Sequence, residues 1–162
     1  MKISKKMTDA FNGQVQAEFE SAYLYLSMAA WFEEQNLGGF AHWMRKQYGE
    51  EVEHAMKMFD YVIERGGRAE LKAIAAPKKD WANALAAFQQ TYDHEQAVTA
   101  LIYKLVEAAS KEKDYASVEF LNWFVKEQVE EEATASAILE KLKMVADCTS
   151  GLFALDQALA AR

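Results

Sequence analysis

Apolar residues recur along most of this chain in alternating steps of three and four, the spacing of one buried stripe on a helix. The pattern predicts an all-α fold with four long helices and a short fifth: Thr8 to Gln35, Phe40 to Arg65, Asn83 to Ser110, Tyr115 to Ala146 and Leu152 to Ala161. In the first helix the stripe reads Phe11, Val15, Glu18, Ala22, Tyr25, Ala29 and Phe32. In the second it reads Met44, Tyr48, Glu51, Ala55, Met58 and Val62, and in the third Phe88, Tyr92, Glu95, Val98, Ile102 and Leu105. The fourth carries Leu121, Phe124, Gln128, Glu131, Ala135, Ile138, Leu142 and Val145. The pairs Gly38-Gly39 and Gly66-Gly67 mark the ends of the first two helices, because glycine accepts the left-handed conformation that closes a helix.

Residues 66–82 break the pattern and contain the only proline, Pro77. Roughly 15 extended residues reach about 50 Å, whereas a helix of roughly 27 residues is about 40 Å long. This connection can therefore run the length of a bundle. The expected layout is two antiparallel hairpins joined by one long crossover, a known bundle variant. Leu71, Ile74 and Trp81 are its candidate apolar anchors. The length of 162 residues suits one domain, 1–162.

Charge and cysteine content narrow the function. A formal net charge of -7 argues against nucleic acid or an anionic membrane as partner and suits a protein that attracts cations. One cysteine, Cys148, excludes an internal disulfide framework and a four-cysteine metal site. The basic start, Met1 to Lys6, leads into no apolar run, so neither a signal peptide nor a membrane span is expected, and the expected location is cytoplasmic.

Each long helix places one glutamate on its apolar stripe, near its middle: Glu18, Glu51, Glu95 and Glu131. Mid-helix positions meet at one level in an antiparallel bundle. Glutamate is almost never fully buried unless it is paired or bound to metal. Four carboxylates in one low-dielectric layer must share protons or surround cations, and no lysine or arginine occupies the stripes. His54 lies one turn after Glu51 on the same face, giving Glu-x-x-His. Carboxylates with imidazole and no thiolate suit iron or manganese, and zinc can also bind. One such glutamate taken alone is more often a rim residue, and a lone histidine is more often a satisfied core residue. The coincidence on four helices favours a two-metal site.

The segments Glu18 with Tyr25, Glu50-Glu51-Val52-Glu53-His54, His94-Glu95-Gln96 and Glu127-Gln128-Val129-Glu130-Glu131 resemble the bacterial non-haem ferritins, and the resemblance spans nearly the whole chain. It implies a ferritin-like four-helix bundle with one long crossover and a short C-terminal helix. It implies a first iron held by Glu18, Glu51 and His54, and a second held by Glu95 and Glu131, with Glu51 bridging and Gln128 close by. Glu50, Glu127 and Glu130 match a third iron site nearby, to which Glu131 could bridge. Tyr25 matches a tyrosine beside the centre that could supply an electron or proton. A core aromatic with a bonded hydroxyl is the plainer reading of Tyr25, and the two are compatible.

The same resemblance implies iron storage by a ferroxidase: Fe²⁺ and O₂ or H₂O₂ are substrates, and Fe³⁺ goes into a mineral inside a homo-oligomeric shell of twenty-four subunits. The fourth helix lacks a second Glu-x-x-His, which sets the chain apart from bacterioferritins and rubrerythrins. One cysteine cannot build a rubredoxin module. The haem-ligating methionine of bacterioferritins would fall near Val52, so no haem is expected. DNA-protecting mini-ferritins place iron between subunits and lack the fifth helix. Trp31, Trp43 and several tyrosines exceed the needs of a thin bundle core and suggest interfaces. The fifth helix is too short to stand alone and should dock on neighbours, with folding back on its own bundle as the alternative. His42 reads as a surface or interface residue, His94 as more solvated than supporting, and Cys148 as unpartnered. A di-iron peroxidase or oxygenase turning over an external substrate and a non-enzymatic helical interaction protein remain open at this point.

Overall fold

The computed structural model describes residues 1–145 and 148–161. Its elements are α1 (Lys5–Glu34), α2 (Gly38–Glu64), α3 (Ala84–Lys111), α4 (Tyr115–Val145) and α5 (Thr149–Leu159), with no strand among the described residues. This is an all-helical, ferritin-like four-helix bundle with a short fifth helix. The expected end of the fourth helix at Ala146 lies outside the described residues.

Local chemistry sets the boundaries. α1 starts before Thr8 because Ser4 caps it, its hydroxyl accepting from the Met7 N–H at 3.1 Å. Asn83 caps α3 in the same way, accepting from the Ala86 N–H at 2.8 Å. The first hairpin is closed by Asn36 at φ +58°, not by glycine as expected. Its neighbour Leu37 returns an N–H to the Phe32 carbonyl. Gly38 and Gly39 instead open α2. Gly66 does take the left-handed conformation, at φ +70°, after α2.

Among the described residues the core forms two apolar clusters. One contains Tyr25, Met28, Phe32, Phe40, Met44, Phe88, Ile138 and Leu142. The other contains Phe11, Val15, Met58, Val62, Val98, Ile102, Leu121 and Phe124. Each long helix passes from one cluster to the other, and the glutamate of its stripe lies between them. α1 and α4 run in one sense and α2 and α3 in the other, so the 66–82 connection returns along the bundle as a full-length crossover.

That crossover is held differently from the expectation. Trp81 is buried and meets Trp31 edge-on at 5.7 Å. Leu71 and Ile74 are not anchors, being 70% and 40% exposed. Polar side chains of α1 hold the segment instead: Asn12 donates to the Arg68 carbonyl and accepts from the Glu70 N–H, Gln16 donates to the Ala73 carbonyl, and Ser27 to the Lys78 carbonyl. An extended segment has unpaired backbone groups that need such partners.

Two further expectations change. Trp31 and Trp43 belong to the chain's own core, at 7% and 2% exposure, and so do not mark interfaces. α5 folds back on its own bundle: the buried Asp156 accepts from the Gly39 and Phe40 N–H groups at 2.8 and 3.0 Å. A carboxylate there meets unpaired donors and the positive end of the α2 dipole. Phe153 nevertheless stays exposed on α5.

Candidate metal centre

Glu18, Glu51, Glu95 and Glu131 are all buried in the layer between the apolar clusters, as the helical phase requires. Glu18, Glu51 and His54 offer ligand atoms within 4.8 Å of one another. His54 Nδ1 stands 3.4 Å from Glu51 Oε2. A second group with the same spacing contains His54, Glu127 and Glu131. His54 thus faces both carboxylate groups, and its ring is packed edge-on against Trp123 and Phe124.

Fixed donors orient the carboxylates. Gln14 Nε2 donates to Glu18 Oε1 at 2.9 Å, and Gln47 Nε2 donates to Glu131 Oε2 at 2.8 Å. The Tyr25 hydroxyl donates to Glu95 Oε1, and Gln128 Nε2 reaches Glu95 Oε2 at 3.3 Å. Gln128 also reaches Thr99 Oγ1 at 3.2 Å, and Thr99 donates to Glu132 Oε1 at 2.5 Å.

Glu18 Oε2 and Glu51 Oε2 are buried and have no hydrogen-bond partner. With both groups ionised neither oxygen can be a donor, so a shared proton, a cation, or a proton on the His54 nitrogen 3.4 Å from Glu51 Oε2 must satisfy them. Burial, then repulsion by Glu51, holds the Glu18 carboxyl far above the usual carboxylate range. Burial, then Glu95, does the same to Glu51. Glu95 is raised by burial against the pull of Tyr25 and Gln128. Burial and the charge of Glu95 push Glu131 up to about 7. Burial and Glu95 also raise Tyr25 well above the usual phenol range. The layer is short of positive charge, and divalent metals bound by oxygen and imidazole would supply it.

An acidic cleft of about 550 Å³ opens beside this layer, lined by Glu50, Glu53, His54, Asp60, Trp123 and Glu127 among others. Glu50 and Glu127 are half-buried and face it, whereas Glu130 is exposed and joins neither ligand group. The expected third-site residues are therefore only partly brought together.

Sequence reasoning missed four supports. Gln14 and Gln47 each lie one turn before a stripe glutamate, so their position was the available signal. In α2 the inward residue is Gln47, while Tyr48 is exposed, which corrects the stripe. Thr99 lies one turn after Glu95. His94 is half-buried, not solvated: its Nε2 is 2.8 Å from Ser21 Oγ, and its ring meets Tyr25 edge-on at 5.9 Å.

The ferritin-like domain model matches residues 8–145. The chain belongs to the ferritin family. It is 46% identical over 160 residues to a bacterial non-heme ferritin of Bacteroides fragilis, covering 99% of both chains. It is 40% identical over 160 residues to one from Staphylococcus haemolyticus, covering 99% of this chain and 96% of the relative. An open pore ferritin from the archaeon Archaeoglobus fulgidus superposes with a TM-score of 0.99 at 52% identity, with 99% of each chain covered. A form of that ferritin engineered to be closed gives 0.98 at 52% identity, covering 99% of this chain and 98% of the other. Ferritins bind iron, and the family and fold support iron storage here. The Glu–His cluster is compatible with a di-iron site, and no helix among the described residues is long and apolar enough to cross a membrane.

Proposed function

We propose that this chain is a ferroxidase as well as an iron store, oxidising Fe²⁺ with O₂ or H₂O₂ at a di-iron centre inside each bundle. The observation that carries the reading is the pair of buried, unpartnered oxygens, Glu18 Oε2 and Glu51 Oε2, with His54 Nδ1 beside them. The first Fe²⁺ would bind Glu18, Glu51 and His54. The second would bind Glu95 and Glu131, with Glu51 between the two and Gln128 adjacent. Glu50, Glu127 and Glu130 would serve a third site at the acidic cleft, and the exposure of Glu130 makes that site the loosest of the three.

The protein's own groups divide the work. Carboxylates favour the higher charge of Fe³⁺. Tyr25, held on Glu95, could return an electron or a proton. Two Fe²⁺ supply two electrons, enough to take O₂ to hydrogen peroxide or peroxide to water. An uneven ligand set suits iron that is substrate and cargo, passing on to a mineral. The whole chain, 1–162, would act as one ferritin-like domain, located in the cytoplasm. It would assemble with copies of itself, as twenty-four subunits around a cavity. Exposed Tyr23, Tyr103, Tyr115, Leu71 and Phe153 offer surface for those contacts.

A di-iron enzyme for an external substrate is less well supported, because four carboxylates against the single Lys57 line the cleft beside the centre and suit it to cations. Aerobic Fe²⁺ addition to the metal-free protein, with light scattering to size the product, tests the proposal. Fast oxidation with many irons retained per chain in a large shell is the expected result. About two irons retained per chain without mineral or shell would support the enzyme reading. Glu51→Ala, which removes a ligand from both metals, and His54→Ala, which removes one, should each slow oxidation by about 100-fold or more. Wild-type rates in both would overturn the site.

A further inference from the structure

We propose that Gln14 is a positioning residue that restricts Glu18 to one ligating oxygen, so that iron bound there stays exchangeable. This rests on the ferroxidase reading above. Gln14 and Glu18 are both buried and one helical turn apart on α1. The amide donates to Glu18 Oε1 at 2.9 Å, while Oε2 is buried without a hydrogen-bond partner, and Glu18 shares a ligand group with Glu51 and His54. A carboxylate with one oxygen committed to a fixed donor cannot rotate to chelate a cation through both without losing that bond. Hydrogen bonds to charged groups are the strong ones, so the restraint is substantial.

The surroundings of Gln14 support a placed amide over space filling. Its outer side borders an open groove of about 300 Å³ lined by Ala10, Gly13, Leu101, Lys104, Leu105 and Ala108. An apolar side chain would line that floor as well as an amide does, so the groove itself gives no reason for a polar residue there. The helix also carries an internal control. Gln16 donates to Glu20 Oε1 at the same 2.9 Å and the same four-residue spacing, but on a side that faces the crossover.

The experiment compares wild type, Gln14→Met and Gln16→Met. Methionine keeps the chain length, so the groove is not opened. Co²⁺ alone is titrated anaerobically and its visible d–d absorption recorded. Recovery of oxidation is then timed by a second Fe²⁺ addition after the first has been consumed. In Gln14→Met, Glu18 is free to chelate. The Co²⁺ band should weaken as the coordination number rises, and recovery should slow by at least about tenfold, the order set by one hydrogen bond to a charged group. Gln16→Met should match wild type in both. A wild-type spectrum and wild-type recovery in Gln14→Met would overturn the proposal. Gln14→Asn, too short to reach Glu18 Oε1, should behave as the methionine variant does and provides the test if that variant folds poorly. Failure of wild type itself to bind Co²⁺ and oxidise Fe²⁺ would instead sink the ferroxidase reading.

Discussion

The Tyr25 hydroxyl donates its hydrogen bond to Glu95 Oε1, tying α1 to α3 at the level of the four carboxylates. Tyr25 is fully buried, and its phenol is held protonated by burial and by the charge of Glu95. Tyr25→Phe keeps the ring, and so the packing, but leaves Glu95 Oε1 without its donor. The bond is worth about 1.5–3 kcal/mol to a charged acceptor. Stopped-flow oxidation should slow by about tenfold or more, with the iron:protein binding ratio unchanged. Equal rates in both proteins would remove Tyr25 from the chemistry.

Glu51 shows where stability and function conflict. It is almost fully buried, lies beside Glu18 and His54, and has one oxygen with no partner. Glu51→Gln replaces a buried carboxyl, which must either carry a charge or take up a proton on folding, with a neutral amide that can donate to Glu18. The metal-free variant should therefore be more stable than wild type, on the order of 1–2 kcal/mol in urea unfolding. Iron oxidation should fall sharply, because an amide is a poor bridge between cations. A variant both less stable and fully active would contradict the placement of Glu51.

The carboxylate layer was legible in the sequence because helical phase alone brings Glu18, Glu51, Glu95 and Glu131 inward, and antiparallel packing brings mid-helix positions to one height. The crossover was legible from its length. Residues whose placement depends on a partner were not. Gln47 and Tyr48 are adjacent, and only the contact of Gln47 with Glu131 on α4 settles which one turns inward. Leu71 and Ile74 looked like anchors by composition, yet backbone groups of the crossover needed Asn12, Gln16 and Ser27 more than apolar burial. Trp31 and Trp43 looked surplus because the reach of α5 and of Trp81 over that end of the core carries no periodic signal.

The buried carboxylates also fix the sign of the pH dependence. Glu18, Glu51, Glu95 and Glu131 all have folded values above the ordinary 4.5, Glu131 at about 7. Above 4.5 the unfolded chain releases these protons while the folded chain keeps them. The folded state then binds more protons, so stability falls as pH rises. The fall continues through about 7 for Glu131, and the raised values of the other three act with the same sign. Metal-free protein should melt at a higher temperature at pH 5.5 than at pH 8, and divalent metal should reverse the order by binding the ionised folded form. Melting curves at both pH values, with and without Zn²⁺, decide this. Metal-free protein that is more stable at pH 8 would mean the layer is not charge-starved.

The dock of α5 rests on Gly39 and Asp156. A Cβ at position 39 would come within 1.7 Å of the Asp156 backbone carbonyl oxygen, so no side chain fits unless α5 moves. The backbone there cannot yield cheaply, because Asp156 already accepts from the Gly39 and Phe40 N–H groups. Gly39→Ala should cost about 1–3 kcal/mol, the range for overpacking a well-filled site. Asp156→Ala removes the acceptor without overlap and should cost about 1–2 kcal/mol, as for a lost helix cap. Asp156→Asn keeps an acceptor and should cost clearly less. Because α5 is too short to hold its shape alone, Gly39→Ala should also make α5 sensitive to protease, read by mass spectrometry. If α5 were held mainly by neighbouring subunits, Gly39→Ala would melt and resist proteolysis as wild type does.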